Sequence, residues 1–238
     1  FEGLLTPGHK LLAATGRSDD NPVVVEGQVL TSGGSLPLDV TILLEAAAIC
    51  MAHAARNSFN RCVLLGNGQR RNLPVNLVPE GRIATGFGPV IKLAGEIFSR
   101  VLSMSNPVSA QSLVVASGME DEAAFLPLVI ERFGRQVEAV KRLSALEALL
   151  SAQAMDILGD KPGGVPKMLY DIVRKHADFY VVDRPLSSEV EAIEEELSSE
   201  RVVGDLAAQV PIASIDDFFA LCPHPRDNSQ RLPDALSA

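Results

Sequence analysis

The sequence predicts a mainly α fold, an extended helical bundle with long central helices and a short extended or hairpin segment near the N-terminus. Three observations carry this prediction. Ala and Leu dominate the apolar residues, aromatics are only 5% and Trp is absent, a composition that suits close helix–helix packing. Apolar residues recur at three- and four-residue steps over long windows. One window, residues 120–158, runs almost without a helix breaker.

Taken in order, residues 1–17 read as a helix and connector through Phe1, Leu4, Leu5, Leu11 and Leu12, with Pro7 and Gly8 expected to interrupt it. Val23-Val24-Val25 and Gln28-Val29-Leu30, between Asn21-Pro22 and Gly33-Gly34, predict two short strands or an extended loop. From Pro37 the period turns helical through Val40, Leu43, Leu44, Ala47, Ala48 and Met51, to about Arg56. A separate apolar stretch spans Arg61 to Leu65 and ends at Gly66-Asn67-Gly68. Residues 73–79 are predicted to be extended, and Val90 to Met104 to be helical, with Pro107 beyond the end. The long helix then takes Leu128, Val129, Phe133, Val137, Val140, Leu143, Leu146, Leu149, Leu150 and Met155 as its apolar positions, with Pro127 expected to kink its start. Its length of roughly 50 Å at ~1.5 Å per residue asks for a bundle or an interface. Residues 159–166 form a loop, and Met168 to His176 a short helix. Ser187 or Ser188 is placed to cap an acidic helix. The expected division is a helical domain over 1–200 and a tail over 201–238, with a short helix around Asp216 to Leu221.

Bulk properties narrow the function. The formal net charge of -9 and pI near 5.0 argue against nucleic acid or an anionic membrane as partner. No apolar run is expected to be long enough to span a bilayer. Cys50, Cys62 and Cys222 fit no metal motif and no disulfide framework, which points to a reducing compartment, the cytoplasm. No metal site is expected. The chain opens on Phe1 rather than Met, so the expectation is a piece of a longer protein, or a processed precursor.

Several stretches, in order, resemble the C-terminal half of the histidine and aromatic amino-acid ammonia-lyases. Asp20-Asn21-Pro22 resembles that family's Asp-Asn-Pro turn, and Ser32-Gly33-Gly34 its Gly-Gly-Asn-aromatic loop. Asn72-Leu73-Pro74, followed by Thr85-Gly86-Phe87, resembles its Leu-Pro and Ser-Gly-Phe segments. Pro107-Val108-Ser109-Ala110-Gln111-Ser112 is similar to Pro-Ala-Ser-Val-Asp-Ser, and Met119-Glu120-Asp121 to Gln-Glu-Asp. Gln153-Ala154-Met155-Asp156 resembles Gln-Gly-Leu-Asp, and residues 170–176 and 183–187 resemble Val-Arg-x-His and Asp-Arg-Pro-Leu-Ser. Agreement in order over residues 18–195, rather than any single motif, carries the resemblance.

The resemblance implies an enzyme that eliminates ammonia from an α-amino acid. It also implies a homotetramer, and a methylidene-imidazolone electrophile formed from Ala-Ser-Gly on a part N-terminal to this one. This segment alone is expected to bind no cofactor and to be inactive. Glu120 is the catalytic candidate that the resemblance implies; at a helix start it would also simply stabilise the helix. Leu36 and Met119 fall at pocket-lining positions, where Leu36 replaces an aromatic residue and Met119 a Gln amide. Ser35 replaces an Asn. These departures favour altered specificity, or a non-catalytic helical scaffold derived from the family. An aminomutase of the same family is a further alternative.

Ala116-Ser117-Gly118 does occur, but Met119-Glu120-Asp121 follows it instead of the family's Asp-Leu-Ala-Pro-Leu, so chance is the simpler reading. Asn21 is read as a turn residue, His53 and His176 as packed or surface residues, and Asp183-Arg184 as an internal ion pair. Arg61, Arg70 and Arg71 are read as a basic patch suited to ion pairing between subunits.

Overall fold

The computed structural model describes residues 2–16, 22–30, 37–68, 71–111 and 123–209. Among these, seven helices follow one another: α1 Glu2–Thr15, α2 Leu38–Gly66, α3 Gly88–Met104, α4 Leu126–Leu158, α5 Gly164–His176, α6 Ser187–Leu197 and α7 Glu200–Gln209. The two strands are β1 Val23–Val25 and β2 Gln28–Leu30, antiparallel, with Val23 opposite Leu30 and Val25 opposite Gln28. Glu26 and Gly27 turn the hairpin with φ of 50° and 76°, the left-handed pair that matches strand twist in a two-residue loop.

The core lies where α2, α3 and α4 pack side by side, with α5 and α6 against the second half of α4. The pattern explains the packing. α2 offers a face of small residues, Ala47, Ala48, Ala52 and Ala55, which lets neighbouring helices approach. α4 supplies the volume through Leu143, Leu146 and Leu150, each 0% exposed and each worth roughly 1.5–3 kcal/mol of burial. Phe59 of α2 stacks on Phe98 of α3 at 5.4 Å between centroids, and Gly95 leaves room for that ring.

Several expectations change. Pro7 does not interrupt α1; it is buried inside the helix, and packing outweighs the backbone bond it forfeits. The two apolar stretches after Pro37 are one helix of 29 residues. Asn57 and Asn60 are weak helix formers, but buried Ala55, Ser58 and Cys62 keep the stripe in phase through them. By length and composition α2 could cross a membrane, with mean hydropathy 1.6 in its most apolar stretch, so the expectation of no such run fails. Its buried stripe packs on α1, α3 and α4 in this chain.

The segment 73–79 is not simply extended, because Val75–Leu77 forms a 3-10 turn with Asn76 at φ 54°. Pro127 starts α4 rather than kinking it, since the first turn needs no amide from it. Gly159 ends α4 at φ 66°, and the Gly159 and Asp160 amides bond back to Asp156 and Met155. Ser187 and Ser188 lie inside α6 and make no side-chain cap; Leu186 precedes them as the cap residue. α7 was not foreseen. It begins at the expected tail boundary and packs on α5 and α6, with Val202 fully buried. The helix expected around residues 216–221 lies outside the described residues.

Candidate functional site

Leu36, Met119 and Glu120 lie outside the described residues, as do Asn21, Ser35 and Ala116-Ser117-Gly118. The described residues that border them are brought to one end of the bundle. Val40 and Leu44, in the first turns of α2, bury against Val129 of α4. Leu11 and Ala14 of α1, Val108, Leu126 and Phe133 close around them. The heads of α2 and α4 and the end of α1 therefore meet. In sequence, Leu36 precedes the first of these helices, and Met119 and Glu120 precede the second.

This end is tied by buried polar groups. The Glu45 carboxylate, 8% exposed, accepts bonds from the amides of Val108 (2.6 Å) and Ser109 (3.0 Å) and from the Ser109 hydroxyl (2.6 Å). Burial alone would raise its pKa, but the Ser109 and Val108 bonds and the nearby Arg132 charge outweigh it and hold the carboxyl below its ordinary value. Arg132 of α4 donates to the carbonyls of Ser103 (3.0 Å) and Asn106 (3.1 Å). Gln136, 0% exposed, donates to the carbonyls of Ala48 (2.9 Å) and Val101 (3.1 Å) and to the Ser105 hydroxyl (2.9 Å), and its own oxygen has no partner among the described residues. The sequence reading missed Glu45 and Gln136. Glu45 left a signal: a carboxylate inside the apolar stripe of Leu44, Ala47 and Ala48.

The motif residues of the second half gather elsewhere, around the last turns of α4. Gln153, 0% exposed, accepts from the Tyr180 amide (2.9 Å) and donates to the Tyr180 carbonyl (2.9 Å). Asp183 does not pair with Arg184 as expected. It accepts from the Thr85 amide (2.8 Å), the Gly86 amide (3.2 Å) and the Tyr180 hydroxyl (2.7 Å). These donors, the Thr85 amide foremost and then the Tyr180 hydroxyl, pull its pKa down to about 2. Burial, and then the bond to Asp183, raises the Tyr180 hydroxyl. Arg184 instead pairs with Glu189 and lies over the Tyr180 ring at 5.1 Å. Asp156 takes the Tyr170 hydroxyl (2.6 Å) and the Arg174 guanidinium (2.8 Å). Every carboxylate in this group is engaged by the chain's own donors, an arrangement that ties segments together.

The basic patch also resolves into pairs within the chain. Arg61 binds Glu147, which also accepts from the Ser58 hydroxyl (2.6 Å), and Arg71 binds Asp160 (2.6 Å). Arg70 lies outside the described residues. His176 pairs with Glu196, and His53 is exposed. Cys62 is buried and Cys50 exposed. Among the described residues, no group of three His, Cys, Asp or Glu could hold a metal ion.

Comparison with known proteins agrees with this geometry. The family model "Aromatic amino acid lyase" matches residues 10–175, well over half of the chain. The histidine ammonia-lyase of Myxococcus xanthus is 29% identical over 219 residues, which cover 90% of this chain and 42% of that protein. That of Natranaerobius thermophilus is 24% identical, covering 79% of this chain and 38% of its own length. The chain thus spans about two fifths of the curated relatives it matches. The crystal structure of histidine ammonia-lyase from Trypanosoma cruzi superposes with a TM-score of 0.83 at 22% identity, over 97% of this chain and 46% of that one. Ergothionase from Treponema denticola, an ergothioneine-degrading enzyme, superposes with a TM-score of 0.72 at 26% identity, over 81% of this chain and 39% of that one. The helical fold, the order of its segments and the family match agree: this chain belongs to the aromatic amino acid lyase family.

Proposed function

We propose that this chain is the C-terminal helical part of an ammonia-lyase that eliminates ammonia from an α-amino acid of histidine or aromatic type. The observation that carries the reading is the family match over residues 10–175, in which the motifs keep their order. The electrophile, a methylidene-imidazolone, is assigned to a part N-terminal to this chain, where it would activate the amine as leaving group. The chain's own contribution is positional. The heads of α2 and α4 meet, and in sequence these helices follow the stretches that carry Leu36 and Met119-Glu120. Glu120 is assigned to substrate binding and proton transfer, and Leu36 and Met119 to the walls of the substrate pocket. The working protein is proposed to be a cytoplasmic homotetramer.

The test is to express the whole reading frame and assay ammonia release and the absorbance of the unsaturated acid. The substrates are histidine, phenylalanine and tyrosine. The expected result is turnover of at least one, reduced at least tenfold by Glu120→Gln. A β-amino acid product would make the protein an aminomutase. No product, together with no upstream Ala-Ser-Gly-Asp, would leave a helical scaffold.

A further inference from the structure

α4, α5 and α7 do not close completely on one another. Between them lies a half-enclosed cavity of about 420 Å³, within the range of roughly 300–1,000 Å³ that small-molecule sites occupy. α4 lines it with Ala148, Ala152 and Met155 and α5 with Leu169, and Leu197 at the end of α6 and Leu206 of α7 complete the apolar wall. The small Ala side chains leave the space, and the flexible Met155 thioether adapts to what fills it.

Four polar side chains also line the cavity: Ser144, Glu147, Ser151 and Tyr170. Three of them are engaged within the chain. The Ser144 hydroxyl donates to the Val140 carbonyl (2.9 Å), and the Tyr170 hydroxyl to Asp156 (2.6 Å). The Glu147 carboxylate is neutralised by Arg61 and accepts the Ser58 hydroxyl (2.6 Å). Ser151 differs. A helical serine can bond back to the carbonyl four residues before it, as Ser144 does, but the Ser151 hydroxyl has no partner among the described residues.

This wall sets the chemistry of an occupant. A zwitterionic amino acid or a free anion would bring a charge that no unpaired wall residue meets, and removing that charge from water is costly. Apolar surface gains from entry. One hydrogen-bonding group can be met, at the Ser151 hydroxyl, which both donates and accepts.

We propose that the cavity between α4, α5 and α7 binds a small neutral molecule, predominantly apolar, whose hydrogen-bonding group meets Ser151. Twenty-two residues of α4 separate Ser151 from Val129, about 33 Å at ~1.5 Å per residue. The site is therefore apart from the end where α2 and α4 begin, and the inference does not rest on the lyase reading.

The experiment uses the whole protein and N-phenyl-1-naphthylamine, a neutral apolar fluorophore with a single N–H group. The probe is titrated into wild type, into Ala148→Phe, which fills the cavity, and into Ser151→Ala, which removes the free hydroxyl. Circular dichroism checks that each variant is folded. The expected result is saturable binding of one probe per chain, weakened at least tenfold by Ala148→Phe and roughly threefold or more by Ser151→Ala. The charged analogue 1-anilinonaphthalene-8-sulfonate should bind at least tenfold more weakly than the neutral probe. Absence of saturable binding to wild type overturns the proposal, because the cavity is then filled by another part of the protein. A folded Ala148→Phe that binds as wild type does also overturns it, since the probe then sits elsewhere. Equal affinity for the sulfonate removes neutrality from the account and overturns it as well. Should Ala148→Phe not fold, Ser151→Ala decides alone, and unchanged affinity there overturns the proposal.

Discussion

Replacing Gln153 with Leu removes three hydrogen bonds from the middle of the protein while nearly keeping the side-chain volume. The Gln153 oxygen accepts the Tyr180 amide at 2.9 Å, and its amide nitrogen serves the Tyr180 carbonyl at 2.9 Å and the Leu77 carbonyl at 3.4 Å. Tyr180 lies between α5 and α6, outside any helix, so no ladder partner replaces Gln153. Two buried backbone groups lose their partner, at about 1–3 kcal/mol each. The Leu77 contact is long and adds little. Leu returns about 1 kcal/mol through apolar burial, so the net loss is about 1–5 kcal/mol. Urea denaturation followed by circular dichroism measures it. Gln136→Leu is the matched control, because it is equally buried but serves the Ala48 and Val101 carbonyls, which the Ser105 hydroxyl also serves, and the Ser105 hydroxyl itself. It should cost about 1 kcal/mol or less. A loss below about 1 kcal/mol for Gln153→Leu, or the reverse order of the two variants, would refute the reasoning.

Gly86 and Gly159 share a φ of 66°, but a Cβ on Gly86 would stand 2.5 Å from the Asn76 carbonyl oxygen, whereas nothing lies within 4 Å at Gly159. Gly159→Ala should cost about 1 kcal/mol of backbone strain and Gly86→Ala at least twice that, measured by the same denaturation; equal losses would remove crowding from the account. Burial, and then the Glu147 charge, pushes the Cys62 thiol up to about 12, while Cys50 is exposed. In a Cys222→Ser background at pH 8, a thiol reagent should label Cys50 at once and Cys62 only on unfolding; equal rates would contradict the burial. Asp183 has its pKa lowered from 3.8 to about 2 by the Thr85 amide, the Tyr180 hydroxyl and the Gly86 amide. A depressed carboxylate stabilises fully above its unfolded pKa, so its contribution should be complete above about pH 4 and disappear toward pH 2. Asp183→Asn should flatten the stability profile in that window, and an unchanged slope would show that the carboxylate does not hold the loop.

The helices were legible because their signal is local. The stripes of α2, α3 and α4 repeat every three to four residues, and the hairpin is written in two Val-rich triplets around a turn. The errors fall where a distant partner overrides local preference. The helix from Pro37 read as ending near Arg56, yet α2 continues to Gly66, and Ser58 just past that point bonds to Glu147, 89 positions away. Asp183-Arg184 read as a pair because the two are adjacent, whereas Asp183 is held by Thr85, 98 positions away. No periodicity encodes such distances. Glu45 was open to detection as a charge in an apolar stripe; its partners at 108 and 109 were not.

The motifs of the resemblance divide in space, and the division bears on which of them act in chemistry. Gln153, Asp156, Tyr170, Arg174 and Asp183 gather near the last turns of α4 and lock the segments after it to the Thr85–Gly86 turn. Val129, at the other end, marks the meeting of α1, α2 and α4. Twenty-four residues of α4 separate Val129 from Gln153, about 36 Å at ~1.5 Å per residue. A side chain near Gln153 therefore cannot reach a substrate held at the head of α4 in the same subunit. Substitutions at the Gln153 end should lower stability with kcat preserved in the folded fraction. The motif residues described near the last turns of α4 are joints, engaged by the chain's own donors.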